Sequence, residues 1–415
     1  MRHKRKPVIF ITVILCLLFM MSVASCGNTP QEPDSDDAPA ANDSPDASQT
    51  ASGQPDSTVK PSPAPPSSAP PLPPVNLVEY DGIVEHLFFH EVIAYPRLAF
   101  NGGSMELGYD QNMVTVSEFN KMLDSMYNNG FILVDLNDVW SEYVNDDGLV
   151  RMKKNTLMIP EGKKPLVLSF DDISFYEYMR YDGFMQKLII GEDGEIWASG
   201  FDPDGNAVVS QDYTVVTILD RFVREHPDFS LNGVKGCIAL TGYEGILGYR
   251  TQTDKNDSSD EFRLNRMQEV ARVRPVIQRL HETGWYFATH SYGHINLENA
   301  SLDRVREDAL RWLDEVGSLV GETQIFIYPF GTRLDGSDVN NTGPAFRMYH
   351  DLGFRIFASV GIESFSRIKT DISAVVCDRM HSDGISLRYD RQRYLMFYDA
   401  IEVFDPLRPD FGNSW

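Results

Sequence analysis

A short, uncharged run near the middle of the chain limits its fold more than any other feature. Residues 165–170 read PLVLSF and are followed at once by two carboxylates, Asp171 and Asp172. Such a run predicts a strand that is buried on both faces, which is typical of parallel sheets covered by helices. Two adjacent carboxylates at the end of a buried strand repel each other and lose solvation. We therefore expect a cation or a shared proton beside them.

Strand-like and helix-like segments alternate along the rest of the chain, and this alternation predicts an α/β fold. Several predicted strands end in polar or unusual residues. In α/β barrels the catalytic residues lie at the C-terminal ends of the strands. We therefore expect these strand ends to meet at one mouth of a barrel. We predict strands at 84–90, 131–134, 234–240, 285–289, 324–328, 355–360 and 374–378. Helices are predicted at 116–129 with Ser117 as N-cap, at 136–143, at 215–225, at 262–283 with a break at Pro275, and at 301–319. Residues 173–230 form an elaboration that contains a small hairpin.

The N-terminal part of the chain is predicted to lie outside the fold. A basic start, an apolar run at 8–21 and the small residues before Cys26 indicate an export signal. The apolar run is short for a spanning helix. Cys26 resembles the lipidated residue of the bacterial lipoprotein box, so we expect a signal peptide at 1–25 and a lipid anchor at Cys26. This places the protein on the extracellular face of a bacterial cell membrane. An uncleaved N-terminal anchor is the alternative.

Residues 26–75 are rich in Pro, Ser and Asp, which predicts a disordered, extended linker. One folded domain, expected to be monomeric, is left for residues 76–415. The net charge of -23 argues against nucleic acid as a partner, because phosphate binding needs a basic surface.

A disulfide between Cys237 and Cys377 would suit an extracellular compartment. Both cysteines lie in apolar, strand-like runs, which favours two buried free thiols.

Two histidines follow the predicted strand at 285–289. His290 and His294 are spaced i, i+4, and on a helical turn both imidazoles would lie on one face, although such pairs are also common on solvated helices. Together with Asp172 they would give two imidazoles and one carboxylate. That set, with open positions, suits a divalent transition metal, with zinc as the first candidate and cobalt or manganese as others.

Three short motifs resemble the first three motifs of the polysaccharide deacetylases, also called NodB-homology proteins or family 4 carbohydrate esterases. They are SFDD at 169–172, HSYGH at 290–294 and YPFG at 328–331. The resemblance covers residues 83–405 and implies an α/β fold, a distorted and incomplete (β/α) barrel. It further implies that Asp171 is the general base and that Asp172, His290 and His294 bind the metal. The backbone N–H of Phe330 would help to form the oxyanion hole.

The sequence departs from the family pattern in two places. Ile327 stands where many members carry an arginine that steadies the base, and the late Leu-x-x-His motif is not plainly present. The run DRMH at 378–381 is the best candidate for it. It offers His381 as the general acid and Arg379 as a substitute partner for Asp171. The alternative is that His381 is an ordinary surface histidine.

Substrate contacts are predicted for Tyr243 and Arg250 in a glycine-rich loop and for Tyr328 and Pro329 in the third motif, with plain packing as the alternative. His90 lines the pocket or is a satisfied core histidine. The resemblance implies a metal-dependent hydrolase that removes N-acetyl groups from amino sugars of a cell-envelope glycan or exopolysaccharide. One alternative is a non-catalytic glycan-binding lipoprotein on a decayed deacetylase scaffold. Another is a metal-dependent esterase or amidase that acts on a different acyl group.

Overall fold

Seven parallel strands closed into a ring form the centre of the domain. The computed structural model describes residues 76–254, 256–334 and 342–410. Within these residues the strands are Leu77–Tyr80 (β1), Glu85–Phe89 (β2), Phe131–Leu133 (β3), Trp140–Val144 (β4), Val150–Lys154 (β5), Leu157–Pro160 (β6), Lys164–Asp171 (β7), Lys187–Ile190 (β8), Ile196–Phe201 (β9), Ala207–Ser210 (β10), Gly236–Leu240 (β11), Trp285–Thr289 (β12), Ile325–Ile327 (β13), Ile356–Val360 (β14), Phe365–Ile368 (β15) and Val375–His381 (β16). The ring runs β2, β7, β11, β12, β13, β14 and β16, and β16 pairs with β2 to close it. The predicted (β/α) barrel is therefore confirmed.

Helices cover the outside of the ring. They are Pro96–Ala99 (α1), Glu106–Asn112 (α2), Val116–Asn128 (α3), Leu136–Val139 (α4), Val215–Glu225 (α5), Asp260–Glu282 (α6), Leu302–Trp312 (α7), Ser318–Val320 (α8), Pro344–Asp351 (α9), Gly384–Tyr389 (α10), Arg391–Tyr394 (α11) and Ala400–Val403 (α12). Across the described ranges, no helix combines the length and the apolar character that crossing a bilayer requires. The predicted signal, the linker and Cys26 lie outside the described residues and stay predictions.

Side chains alternate between the two faces of each barrel strand, as the period of a strand requires. On β7, Leu166, Leu168 and Phe170 belong to the large cluster beneath the outer helices. Val167 belongs instead to a second cluster with Ala239 of β11 and other inward-facing residues. This inner cluster fills the barrel below the mouth, so that only the inward residues nearest the strand C-termini are left for chemistry.

Both cysteines of the barrel face this inner cluster. Cys237 lies on β11 and Cys377 on β16, and both are free and buried. The preference for two free thiols over a disulfide is confirmed. Burial raises the pKa of both thiols, which leaves them protonated and unreactive at neutral pH.

Three local predictions need correction. Thr115, not Ser117, caps α3, and its side chain accepts a hydrogen bond from the Glu118 N–H in a capping box. The helix predicted at 136–143 ends at Val139, and the chain then forms strand β4. Strand β5, which pairs with β4, was not predicted from the sequence. Helix α6 passes through Pro275 without ending, because its buried face packs on the barrel and outweighs the cost of a proline. The predicted hairpin in residues 173–230 is present as β9 and β10, and β8 adds a third antiparallel strand to it.

Candidate metal centre

Asp172, His290 and His294 come together at the C-terminal mouth of the barrel. Asp171 is the last residue of β7, Asp172 follows it, and His290 directly follows β12. One ligand atom from each of Asp172, His290 and His294 lies within 4.8 Å of the others. Parallel pairing of β7 with β11, and of β11 with β12, brings these distant parts of the sequence to the same edge. The predicted convergence of the three groups is therefore observed.

The loop at 290–294 is not the helical turn that the spacing predicted. Ser291 and His294 have positive φ values of 56° and 48°, and the two imidazole centroids are 5.0 Å apart. Asp308 on α7 holds the loop by accepting hydrogen bonds from the Tyr292 N–H at 2.6 Å and the Gly293 N–H at 2.8 Å. Left-handed backbone at non-glycine residues is costly, and it clusters at functional sites where the surrounding structure enforces it.

Both imidazoles are suited to bind a cation through a neutral nitrogen. His290 Nδ1 lies 3.0 Å from the Ile327 carbonyl oxygen, so Nδ1 carries the proton and donates. Nε2 is then the nitrogen available to a metal, as in metal-binding histidines whose second nitrogen is held by a carbonyl. Burial lowers the pKa of His294 to about 4, so its imidazole is neutral at physiological pH. The donor set fits a divalent transition metal.

A tyrosine fixes the carboxylate of the set. The Tyr176 hydroxyl donates to Asp172 Oδ1 at 2.5 Å and lies 2.6 Å from Thr241 Oγ1. Asp172 Oδ2 is left 3.5 Å from His294 Nε2. Burial alone would raise the pKa of Asp172, but the nearby imidazoles of His294 and His290 lower it below its usual value. The carboxylate is therefore ionised and oriented before any ligand binds.

Asp171 has a different partner. Both of its oxygens accept hydrogen bonds from Arg379, at 2.8 Å and 2.9 Å, and the Arg379 guanidinium is fully buried inside the barrel. Burial alone would raise the pKa of Asp171, but the Arg379 guanidinium and the His290 imidazole lower it. The expectation that Arg379 replaces the arginine missing at Ile327 is confirmed by this contact. Asp171 Oδ2 is 3.9 Å from His290 Nε2, next to the candidate metal ligands.

Known proteins that are similar to this chain are found among solved structures. A scan against protein-family models finds no match, and a search of curated proteins finds none. Among solved structures, the Streptococcus pyogenes deacetylase PplD, solved with acetate, is 12% identical with a TM-score of 0.40, over 80% of this chain and 100% of that chain. BC0361, a polysaccharide deacetylase from Bacillus cereus, is 11% identical with a TM-score of 0.38, over 73% and 65%. IcaB from Ammonifex degensii is 10% identical with a TM-score of 0.37, over 76% and 97%.

The chain is thus similar to solved polysaccharide deacetylases. What the chain does must follow from the groups at its own barrel mouth.

His381 is not a surface histidine on a loop. It is the last residue of β16, two strands from Asp171 around the ring, and its side chain is largely buried. Its Nδ1 lies 2.9 Å from both carboxylate oxygens of Asp383. Burial alone would lower the pKa of His381, but the Asp383 carboxylate raises it above its usual value. The Asp383 carboxylate therefore favours the protonated form of this imidazole at the mouth of the barrel.

His90 and Phe330 also lie at this mouth. His90 follows β2, and its Nδ1 is 2.8 Å from the Asn112 carbonyl oxygen, so it is a satisfied histidine near the site. Phe330 has a φ of 57°, and its ring contacts the His294 imidazole edge-on with centroids 4.3 Å apart. Half of its surface is exposed. Its ring therefore lies beside a candidate metal ligand, whereas the oxyanion-hole role of its backbone N–H stays a prediction.

The four predicted substrate residues lie in different environments. Tyr243 is exposed beside Tyr176 at the mouth. Tyr328 and Pro329 are buried, and Tyr328 packs on Phe326 in the outer cluster, because the strand period points it away from the barrel interior. Arg250 donates to the Glu244 and Phe175 carbonyl oxygens and so joins two loops. Three of the four are thus occupied by packing or by loop contacts.

Sequence reasoning missed three polar residues of the site. Tyr176 follows Asp172 by four residues in an irregular segment, so no periodicity marked it. Ser169 accepts a hydrogen bond from Arg379 at 3.0 Å and lies 3.0 Å from His86 Nε2. Its position two residues before Asp171 on one strand places both on the same face, and that signal was available. His86 on β2 could have been found in the same way.

Proposed function

We propose that this protein is a metal-dependent hydrolase that removes N-acetyl groups from amino sugars of a cell-envelope glycan or exopolysaccharide. The single observation that carries the proposal is the division between two adjacent carboxylates. Asp172 faces the two imidazoles, whereas Asp171 is clamped by Arg379 beside them. A module that only binds glycan has no use for an ionised base next to its metal ligands.

The residues can be given roles in amide hydrolysis. A divalent metal held by Asp172, His290 and His294 would polarise the acetamide carbonyl and acidify water. Asp171, kept ionised by Arg379, accepts the proton of the attacking water. The Phe330 backbone N–H donates to the oxyanion as it develops. His381, whose protonated form is favoured by Asp383, gives a proton to the departing amine. Deacetylation then yields acetate and a free amino sugar.

The test is acetate release from chitooligosaccharides by the purified, zinc-loaded protein. We expect Asp171→Asn to lower turnover by roughly 100-fold or more, because it removes the general base. Zinc affinity of the variant, measured by titration calorimetry, should stay close to that of the wild type. Equal loss of zinc binding and turnover would contradict the division of labour between Asp171 and Asp172.

Removal of the metal by a chelator provides a second test of the proposal. Treatment with a chelator should stop turnover, and added zinc or cobalt should restore it. Acetate release that is indifferent to chelators would exclude a metal-dependent mechanism. Hydrolysis of simple acyl esters without any acetate release from N-acetylated sugars would favour an esterase instead.

The proposed location is the outer face of the cell membrane. It rests on the sequence of residues 1–75, where the lipidation signal ends at Cys26. In a bacterial host, Cys26→Ser is expected to shift the protein from the membrane fraction to the soluble fraction. A protein that stays in the membrane fraction after this change would favour an uncleaved anchor.

A further inference from the structure

Three tyrosine rings form a stack at the edge of the barrel mouth. Tyr176 and Tyr178 come from the segment after β7, and Tyr243 comes from the loop after β11. The Tyr176 centroid is 5.7 Å from that of Tyr178 and 5.1 Å from that of Tyr243, with interplanar angles of 13° and 16°. Tyr176 is the buried middle ring, whereas Tyr178 is 46% exposed and Tyr243 is 37% exposed. We call these three rings the tyrosine stack.

The tyrosine stack is hydrogen-bonded to a candidate metal ligand through its middle ring. The hydroxyl of its middle ring, Tyr176, donates to Asp172 Oδ1 at 2.5 Å. The half-exposed ring of Phe330 packs on His294, another candidate ligand. Exposed aromatic rings therefore lie near Asp172, through Tyr176, and beside His294. Exposed aromatic surface that is contiguous and rimmed by polar groups is typical of a ligand-binding groove.

The two loops that carry the stack are fixed to each other. Arg250 donates to the Glu244 carbonyl oxygen at 2.7 Å and to the Phe175 carbonyl oxygen at 2.8 Å. The Glu177 N–H donates to Glu244 Oε2 at 2.7 Å. These bonds hold the tyrosines in place in the free protein, so a ligand that stacks on them does not have to order the loops.

We infer that Tyr178 and Tyr243 form a subsite for the pyranose rings of an N-acetylated hexosamine chain, next to the sugar from which the acetyl group is removed. This inference rests on the proposed function. The C–H face of a pyranose is flat and apolar and is matched by an aromatic ring, while the sugar hydroxyls stay in water. Because the two outer rings stack on the tyrosine that is hydrogen-bonded to Asp172, they lie beside the reacting unit. There they contact neighbouring sugars and select for an oligosaccharide over a single sugar.

Binding of a hexamer of N-acetylglucosamine to the full-length, zinc-loaded protein tests the subsite. The measurement is titration calorimetry in an Asp171→Asn background, which prevents turnover. Adding Tyr178→Ala or Tyr243→Ala should weaken hexamer binding about tenfold each, because each change removes one stacking face. Tyr181→Ala is the matched control, since Tyr181 lies in the same segment, is 72% exposed and is outside the stack. It should bind the hexamer as the parent does.

The outcomes separate the subsite from the proposed function. Unchanged hexamer binding by both tyrosine variants, or no binding by the parent, would overturn the subsite. Tyrosine-dependent binding with no acetate release by the wild type would support the subsite and reject deacetylation. Unchanged thermal unfolding of each variant, together with unchanged zinc affinity, would show that weaker binding does not come from a damaged fold or metal site.

Discussion

At the scale of single residues, the charge on His381 depends on Asp383. Asp383→Asn removes the negative charge 2.9 Å from Nδ1 that raises the pKa of His381 against the opposing effect of burial. Asparagine can still cap α10, as Asp383 does through the Ser386 N–H, so the helix should survive the change. We expect the pKa of His381 to fall in this variant.

The sign of the effect on activity follows from the proposed role of His381. A general acid must be protonated, so turnover falls as the pH rises through its pKa. With a lower pKa, the alkaline limb of the pH–rate profile should move to lower pH. The control is Asp351→Asn, which removes a carboxylate 3.6 Å from another histidine, His350 on α9. An Asp383→Asn profile that coincides with the wild type would exclude His381 as the acid.

The same pair contributes to stability in a defined pH range. Because the folded-state pKa of His381 is raised, the contribution is fully present below the ordinary histidine pKa of about 6.5. It is lost as the pH rises through the raised value. The difference in unfolding free energy between wild type and Asp383→Asn should therefore be largest on the acidic side and shrink with increasing pH.

At the scale of elements, the N-terminus of α3 depends on Thr115. Its hydroxyl oxygen accepts from the Glu118 N–H at 3.2 Å, and its O–H donates to Asp405 Oδ2 at 2.7 Å. Thr115→Ala should lower the unfolding free energy by ~1 kcal/mol or somewhat more, measured by urea denaturation. Ser117→Ala, at the cap position that the sequence indicated, should change it little. Equal losses in the two variants would contradict this assignment of the cap.

The elements show what could be predicted from the sequence and what could not. Strands such as β7 and β12 were predicted because an apolar run between turn residues needs burial on both faces. The loop at 290–294 was predicted as a helical turn, since the i, i+4 spacing alone suits a helix. Its true shape depends on Asp308, which comes from α7 and is bonded to the loop only in the folded state. Such a long-range contact leaves no local signal.

The residues of the candidate site also divide into those that the sequence indicated and those that it did not. Asp172, His290 and His294 could be assigned together because strand ends of a parallel barrel share one edge. The pairing of Arg379 with Asp171 was recognisable from the missing arginine at 327. The tyrosine stack was not, because its rings come from two irregular segments whose relative position only the fold defines.

At the scale of the whole molecule, the candidate metal ligands join distant parts of the chain. Asp172 follows β7, whereas His290 and His294 follow β12, so the set exists only when the barrel is closed. A ligand that binds the folded but not the unfolded chain adds ~2.7 kcal/mol to the unfolding free energy when its free concentration is 100 times its Kd. Zinc should therefore raise the thermal unfolding temperature of the protein, and a chelator should reverse the rise.

Variants test whether the zinc-dependent rise in unfolding temperature depends on the proposed ligands. His294→Ala should abolish the zinc-dependent rise, whereas His226→Ala, at the end of α5, should preserve it. Tyr176→Phe keeps all three ligands but removes the hydroxyl that orients Asp172, so its rise at a fixed zinc concentration should be smaller than that of the wild type. Tyr176→Phe would then bind zinc more weakly with its ring still in the stack. An undiminished rise in His294→Ala would mean that zinc stabilises the fold from some other place.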